Sequence, residues 1–285
     1  MLISISGAGG FIGSALSRAF YNKGWTIKPI RRESFALPEA EFRKNNIEGC
    51  DVVINLAGAN ISNRWNAEYK KEILESRIQS TRKIVSSIRS CSEKPKLLIS
   101  VSAVDIYDNL NTHDESSNSY ACSFLGDVCR DWENEALSIS ADVRVVIPRM
   151  GLVLGKEGGA MKKMHPPFSI GFGAKIGKGD QWISFIHIKD LISAFIFIIE
   201  NASLSGPVNM VSPSPVTNSE FSHTFGKVLK QPVFLTLPAF VLKFIYGEGA
   251  VVLLDGHKVL PAKLTQAGFL FSYPTITNAL VNLFG

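Results

Sequence analysis

An α/β fold built on a doubly wound parallel sheet is predicted by three features of this 285-residue sequence. A short apolar strand at 2–6 runs into glycines at 7, 10 and 13 and then into an amphipathic helix. Further apolar strand candidates recur at 26–30, 52–57, 97–102 and 143–147. Long segments with helical spacing separate the later strands, and alternating β and α elements build a parallel sheet with helices on both faces.

The elements follow in chain order. Gly7 suits a tight turn after the first strand, a glycine near position 10 lets the backbone approach a phosphate, and Gly13 lets the helix pack close to the sheet. The helix N-terminus then aims free N–H groups at negative charge. The spacing is G-x-x-G-x-x-G, but Gly9 also supplies a G-x-G start, so the pattern leaves the dinucleotide-binding subtype open. Ile12, Leu16, Ala19 and Phe20 form one helical face, and Gly24 ends the helix. Pro29 predicts an irregular end to the second strand.

Arg31 and Arg32 close that strand, where NAD-specific proteins usually carry an acidic residue for the ribose 2′-hydroxyl. Two guanidinium groups suit the 2′-phosphate of NADP instead. Asn55-Leu56-Ala57-Gly58 follows the third strand with small residues that keep its end close to a dinucleotide. In 66–90, Ile73, Leu74, Ile78, Ile84, Val85 and Ile88 mark one helical face; in 123–138, Phe124, Val128, Trp132 and Leu137 do the same. Ser100 and Ser102 share a face of the fourth strand, and Ser102 is the candidate to hydrogen-bond a substrate carbonyl or alcohol. Asp105 and Asp108 stand where both carboxylates could face a substrate mouth, with solvated turn residues as the favoured reading.

After about residue 150, frequent glycines predict loops and short strands over the C-terminal edge of the sheet, where ligands bind in such folds. A helix at 190–201, capped by Asp190, rejoins the main layer. The domain reading is a dinucleotide-binding core at 1–165, completed by about 186–201, and a small C-terminal substrate lobe over 166–285. His165, Gln181 and Trp182 are candidates for the pocket wall; His187 could orient a substrate or act as an acid, with a structural role the favoured reading.

Composition narrows the function classes. At 46% hydrophobic and 19% charged, the chain can bury a substantial core. Its four cysteines form no metal-ligand spacing with the five histidines, which predicts reduced thiols in a cytoplasmic protein. A net charge of +5, spread along the chain, argues against a nucleic-acid partner. The apolar runs near 191–199 and 239–246 are too short to span a bilayer, so no membrane partner is expected. A small-molecule substrate is expected, and the oligomeric state is left open.

Taken together, GAGGFIG at 7–13, DVVINLAGANI at 51–61 and RWNAEYKKEILESRIQSTR at 64–82 resemble the extended short-chain dehydrogenase/reductases. PRMGLVLG at 148–155, IGKGDQWISFIHIKDL at 176–191 and LPAKLTQAGF at 260–269 extend the likeness over nearly the whole chain. Within that superfamily the chain is similar to the atypical epimerase-like subgroup with a characteristic C-terminal extension. The resemblance implies a Rossmann core, a small C-terminal lobe and an NADP(H) site between them. It places Gly7, Gly10, Phe11, Ile12 and Gly13 at the pyrophosphate, Arg31 and Arg32 at the 2′-phosphate, and Gly58 and Ala59 along the dinucleotide. Glu72 and Arg77 become cofactor neighbours, and the Arg149-Met150-Gly151 loop is expected to close over the nicotinamide.

One departure bears on mechanism. The superfamily's Tyr-x-x-x-Lys pair occurs nowhere in the chain; register with Trp132-Glu133 puts Leu125 and Cys129 in its place. The implied function is an NADP(H)-dependent oxidoreductase or epimerase-like enzyme acting on a small polar carbonyl or alcohol, with Ser102 retained. The alternative is an NADP(H)-binding sensor or interaction protein with reduced catalytic power.

Overall fold

The computed structural model describes residues 1–139 and 141–285. The N-terminal half alternates strand and helix: β1 (Leu2–Ser6), α1 (Phe11–Asn22), β2 (Thr26–Ile30), α2 (Glu39–Asn46), β3 (Val52–Asn55), α3 (Ala67–Arg89), β4 (Leu97–Ser100), β5 (Ser102–Ala103) and α4 (Phe124–Leu137). Edge to edge the main sheet runs Gly206–Met210, Arg144–Met150, β4, β3, β1, β2, with every pairing parallel. Short β5 prolongs it by pairing with the C-terminal end of Arg144–Met150. The order reverses direction at β1, so a crevice opens beyond the carboxyl ends of β1 and β3. Helices cover both faces, which is why β3 and β4 are four-residue runs buried throughout.

Strand and helix positions agree with the sequence pattern to within a few residues, and two assignments change. Gly206–Met210 belongs to the main sheet and not to the lobe: it pairs with Arg144–Met150 and sends Val208 and Met210 into the main core. Residues 159–169, expected as loop, form a helix that buries Met161 and Phe168 and holds Pro166 and Pro167 in its last turn. That helix joins Phe221, Phe225, Ile276 and Leu280 in a separate core for the small lobe. Among the described residues, no helix is long and apolar enough to cross a membrane.

The lobe is tied to the core at helix Ile188–Glu200. Its N-cap is His187, whose Nδ1 accepts from the Lys189 N–H at 3.1 Å, and not Asp190. Asp190 sits inside the first turn and accepts from the backbone N–H groups of Ser272 and Tyr273, each at 2.9 Å. A carboxylate three residues into the helix thus fastens the C-terminal segment, and the sequence could not distinguish this from capping. Burial, helped by Lys189, pushes the His187 imidazole down to about 4, so the ring is neutral in the fold.

Candidate functional site

The first cavity, about 860 Å³, lies at the switch point of the sheet. Gly7, Gly10, Arg31, Arg32, Gly58, Ala59 and Glu72 all line it, so seven of the residues expected there come together. Gly7 takes a left-handed φ of +69°, which turns the chain out of β1. A Cβ on Gly13 would fall 2.2 Å from the Gly7 carbonyl oxygen, so only glycine permits this strand-to-helix approach. Gly10 is the N-cap of α1 and offers no side-chain cap. The first-turn N–H groups are therefore free to meet an anion. Gly9 faces open space, with nothing within 4 Å of where its Cβ would lie.

Other predicted residues act from behind this wall. The Phe11 ring packs where Cβ atoms on Gly155 and Gly158 would stand, so its side chain wedges that turn against α1 while its backbone remains at the helix start. Ile12 packs on the main core. Arg77 lies under the wall: its guanidinium donates to the carbonyls of Ile73 (2.9 Å) and Ala59 (3.1 Å) and stacks over Trp132. It thereby shapes the Gly58-Ala59 segment, and burial lowers its pKa. Arg32 points into solvent, 95% exposed, with Glu72 3.9 Å away.

Beneath the strand ends runs a buried polar chain that the motif reading missed. Ser6 Oγ donates to Asn55 Oδ1 at 2.6 Å and accepts from the N–H groups of Leu56 and Ala57. Asn55 Nδ2 donates to Thr81 Oγ1 at 2.8 Å, and Trp132 Nε1 reaches the same oxygen at 2.9 Å. The chain links β1, β3, α3 and α4 and fixes the loop after β3 against the cradle. Its only sequence signal is a polar residue ending each apolar strand. Lys83 also lines the cavity and anchors the Phe35 carbonyl at 2.7 Å.

Arg149 and Met150 correct the expectation of a loop over the nicotinamide. Both lie on the strand Arg144–Met150, and Met150 packs against the main core. The Arg149 side chain is 3% exposed and makes a bidentate pair with Glu133 at 2.9 and 2.8 Å. It also donates to the Tyr107 hydroxyl at 2.7 Å, which donates in turn to Asn209 at 2.9 Å. Burial works against the guanidinium charge, but Glu133 and Tyr107 outweigh it and hold the Arg149 pKa above its ordinary value. This network bolts α4 to the sheet; none of its members lines the cofactor-sized cavity.

The second cavity, about 370 Å³, opens between α4, the turn after β5 and the small lobe. Leu125, at the position of the missing tyrosine, lines it. Cys129, one turn on, is buried against Ser102 and the Ala103 backbone; burial first, then Asp105 and Glu133, pushes its thiol up to about 12. Ser102 is itself buried, and its hydroxyl has no oxygen or nitrogen partner. Asp105, on the turn Val104–Ile106 directly after Ser102, lines the cavity, as does Asp108. These carboxylates are therefore cavity groups and not merely solvated turn residues. Asp108 is held by Leu110 N–H (2.9 Å) and His113 (3.0 Å), which keep its pKa below the ordinary aspartate value. His165 stacks on Phe284 in the lobe, and Gln181 bonds the Ile176 and Leu253 carbonyls; neither lines these cavities, nor does Trp182, which lies under Lys258.

Residues 3–210 match the NAD dependent epimerase/dehydratase family, and residues 237–283 match a domain of unknown function. The Arabidopsis thaliana epimerase family protein SDR39U1 homolog, described as chloroplastic, is 39% identical over 98% of this chain and 86% of its own length. The crystal structure of human epimerase family protein SDR39U1 with NADPH superposes with a TM-score of 0.93, at 33% identity over 99% of both chains. A Corynebacterium glutamicum nucleoside-diphosphate sugar epimerase is 27% identical, with a TM-score of 0.80, over all of this chain and 58% of that one.

Proposed function

Because the chain belongs to the NAD dependent epimerase/dehydratase family, we propose that it is an NADP(H)-dependent oxidoreductase or epimerase-like enzyme for a small polar carbonyl or alcohol. The observation that carries this reading is the pairing of two sites: an uncapped glycine-rich cradle ending at Arg31 and Arg32, and a second cavity lined by Asp105 on the turn that follows the buried Ser102. The human relative solved with NADPH supports the choice of cofactor.

The residues present fit a phosphorylated dinucleotide. The α1 N-terminus and glycines 7, 9 and 10 form a cradle without side chains, where pyrophosphate oxygens meet N–H donors. Arg31 and Arg32 provide paired donors for a 2′-phosphate. When bound, the nicotinamide supplies hydride exchange with a carbon centre. The chain's own part is then to hold the substrate oxygen and handle its proton. Ser102 Oγ, buried beside the Cys129 thiol and without an oxygen or nitrogen partner, is the donor to that oxygen. Leu125 cannot titrate, and a thiol held near 12 stays protonated at neutral pH, so neither replacement moves the proton. Asp105, the cavity carboxylate on the turn from Ser102, takes that role.

NADPH oxidation across a panel of small aldehydes and ketones tests this reading. Ser102→Ala should lower kcat by about 10²-fold with NADPH affinity retained. Unchanged turnover removes Ser102 from the chemistry. Loss of the Tyr-x-x-x-Lys pair to Leu125 and Cys129 favours a second reading, an NADP(H) sensor. Tight NADPH binding with no turnover on any carbonyl would select it.

A further inference from the structure

The two cavities carry opposite charge. The cofactor-sized cavity sets Arg31, Arg32 and Lys83 against Glu72 and Glu75 in its wall, and an uncapped helix N-terminus at its end adds to the positive side. The wall of the second holds Asp105, Asp108, Glu248 and Asp255 with His257, and no lysine or arginine. We propose that this second cavity admits neutral or cationic substrates and rejects anionic ones, phosphates and nucleoside diphosphate sugars among them. The proposal deepens the reading above, resting on the same cavity as the substrate site.

The nearby cations do not reverse the field. Lys70 pairs with Glu248 at 2.7 Å, which leaves the other three carboxylates uncompensated by it. His113 contacts Asp108, while Asp105 and Asp255 take part in no ion pair among the described residues. Arg77 interacts with Asp105 through space, but its N–H groups are turned to the Ile73 and Ala59 carbonyls. The other source of positive potential is the N-terminus of α4. Ser123 caps it by accepting from the Gly126 N–H at 3.1 Å, and Asp127 adds a negative charge to its first turn. Arg130 faces the Ala121 carbonyl and Asp127.

A pyrophosphate needs cations or free N–H donors around it, and this wall supplies carboxylates that repel it. An ammonium group or a hydroxylated carbonyl compound meets acceptors instead. Trp65 and Phe124, edge to face at 5.5 Å, give the same cavity an apolar wall for the uncharged part of such a molecule.

Three aldehydes of one shape test this directly: 4-methylbenzaldehyde, 4-carboxybenzaldehyde and (4-formylphenyl)trimethylammonium, with UDP-glucose as a nucleotide-sugar probe. Binding to NADPH-loaded protein is measured by saturation-transfer NMR, and turnover by NADPH oxidation. The neutral and cationic aldehydes should bind, the carboxylate about tenfold more weakly or worse, and UDP-glucose not at all. Asp255→Lys, at an exposed position, should narrow or invert the cation-to-anion ratio while NADPH affinity holds. Equal or stronger binding of the carboxylate, saturable binding of UDP-glucose, a ratio unmoved by Asp255→Lys, or no binding of any aldehyde overturns the proposal. Binding in the expected order without turnover upholds it and counts instead against the enzymatic reading.

Discussion

Removing one partner of the Glu133–Arg149 pair is the sharpest perturbation of the scaffold. In Glu133→Ala the Arg149 guanidinium, 3% exposed, loses two charge-assisted hydrogen bonds of 2.9 and 2.8 Å and keeps the Tyr107 hydroxyl. Breaking a buried pair this way costs about 3–5 kcal/mol, because one charge stays buried without its counter-ion. Chains of nearly this size lose about 2–4 °C of Tm per kcal/mol, so a fall of roughly 6–20 °C is expected. The double variant Glu133→Leu with Arg149→Met removes both charges and should recover most of that loss. Urea titration and thermal melting followed by circular dichroism read both effects. The folded double variant should bind NADPH within about threefold of the parent, since neither side chain lines the cradle. A single variant losing under 1 kcal/mol, or a double variant as unstable as the single, would refute the assignment of a buried, mutually dependent pair. Loss of NADPH binding in a stable double variant would restore Arg149 to the cofactor site.

Three further outcomes follow from the geometry. Gly9→Ala should leave stability within about 0.5 kcal/mol, because its Cβ meets nothing within 4 Å, yet weaken NADPH at least about tenfold by intruding on the cradle; equal affinity would place the phosphates elsewhere. Gly13→Ala, whose Cβ would stand 2.2 Å from the Gly7 oxygen, should lose about 1–3 kcal/mol of stability, and a neutral effect would contradict the close helix approach. His187 is held down to about 4 in the fold against about 6.5 unfolded, so the unfolded chain protonates first as pH falls. Its stability contribution is present above about pH 6.5 and is lost toward pH 4, a change of roughly 3 kcal/mol that His187→Asn, keeping a cap acceptor, should flatten.

The parts of the fold legible in the sequence are those set by local pattern. Apolar runs ending in polar residues located β1, β3 and β4, and the glycine spacing located the cradle, because strand burial and turn geometry are decided within a few residues. Arg149 shows where that reasoning stops. The family resemblance implied a ligand-facing loop there, while its role depends on Glu133, Tyr107 and Asn209, which only the folded topology brings together. The same holds for Gly206–Met210, whose partner strand ends more than fifty residues earlier. Asp105 and Asp108 looked like turn formers because carboxylates favour turns; the lobe supplying Glu248 and Asp255 makes them cavity groups. The exchange of Tyr and Lys for Leu125 and Cys129 was visible from register alone, but its consequence, a buried thiol beside Ser102, was not.

The most direct measurement is the affinity of the purified protein for NADPH and NADH, by fluorescence titration, in the parent and in an Arg31→Ala, Arg32→Ala double variant. Charge-assisted hydrogen bonds to a 2′-phosphate contribute about 1.5–3 kcal/mol each. NADPH should therefore bind at least about tenfold more tightly than NADH in the parent, and the variant should lose that preference with NADH affinity little changed. Equal affinities in the parent, or a preference that survives removal of both arginines, would contradict an NADP(H) site at this cradle.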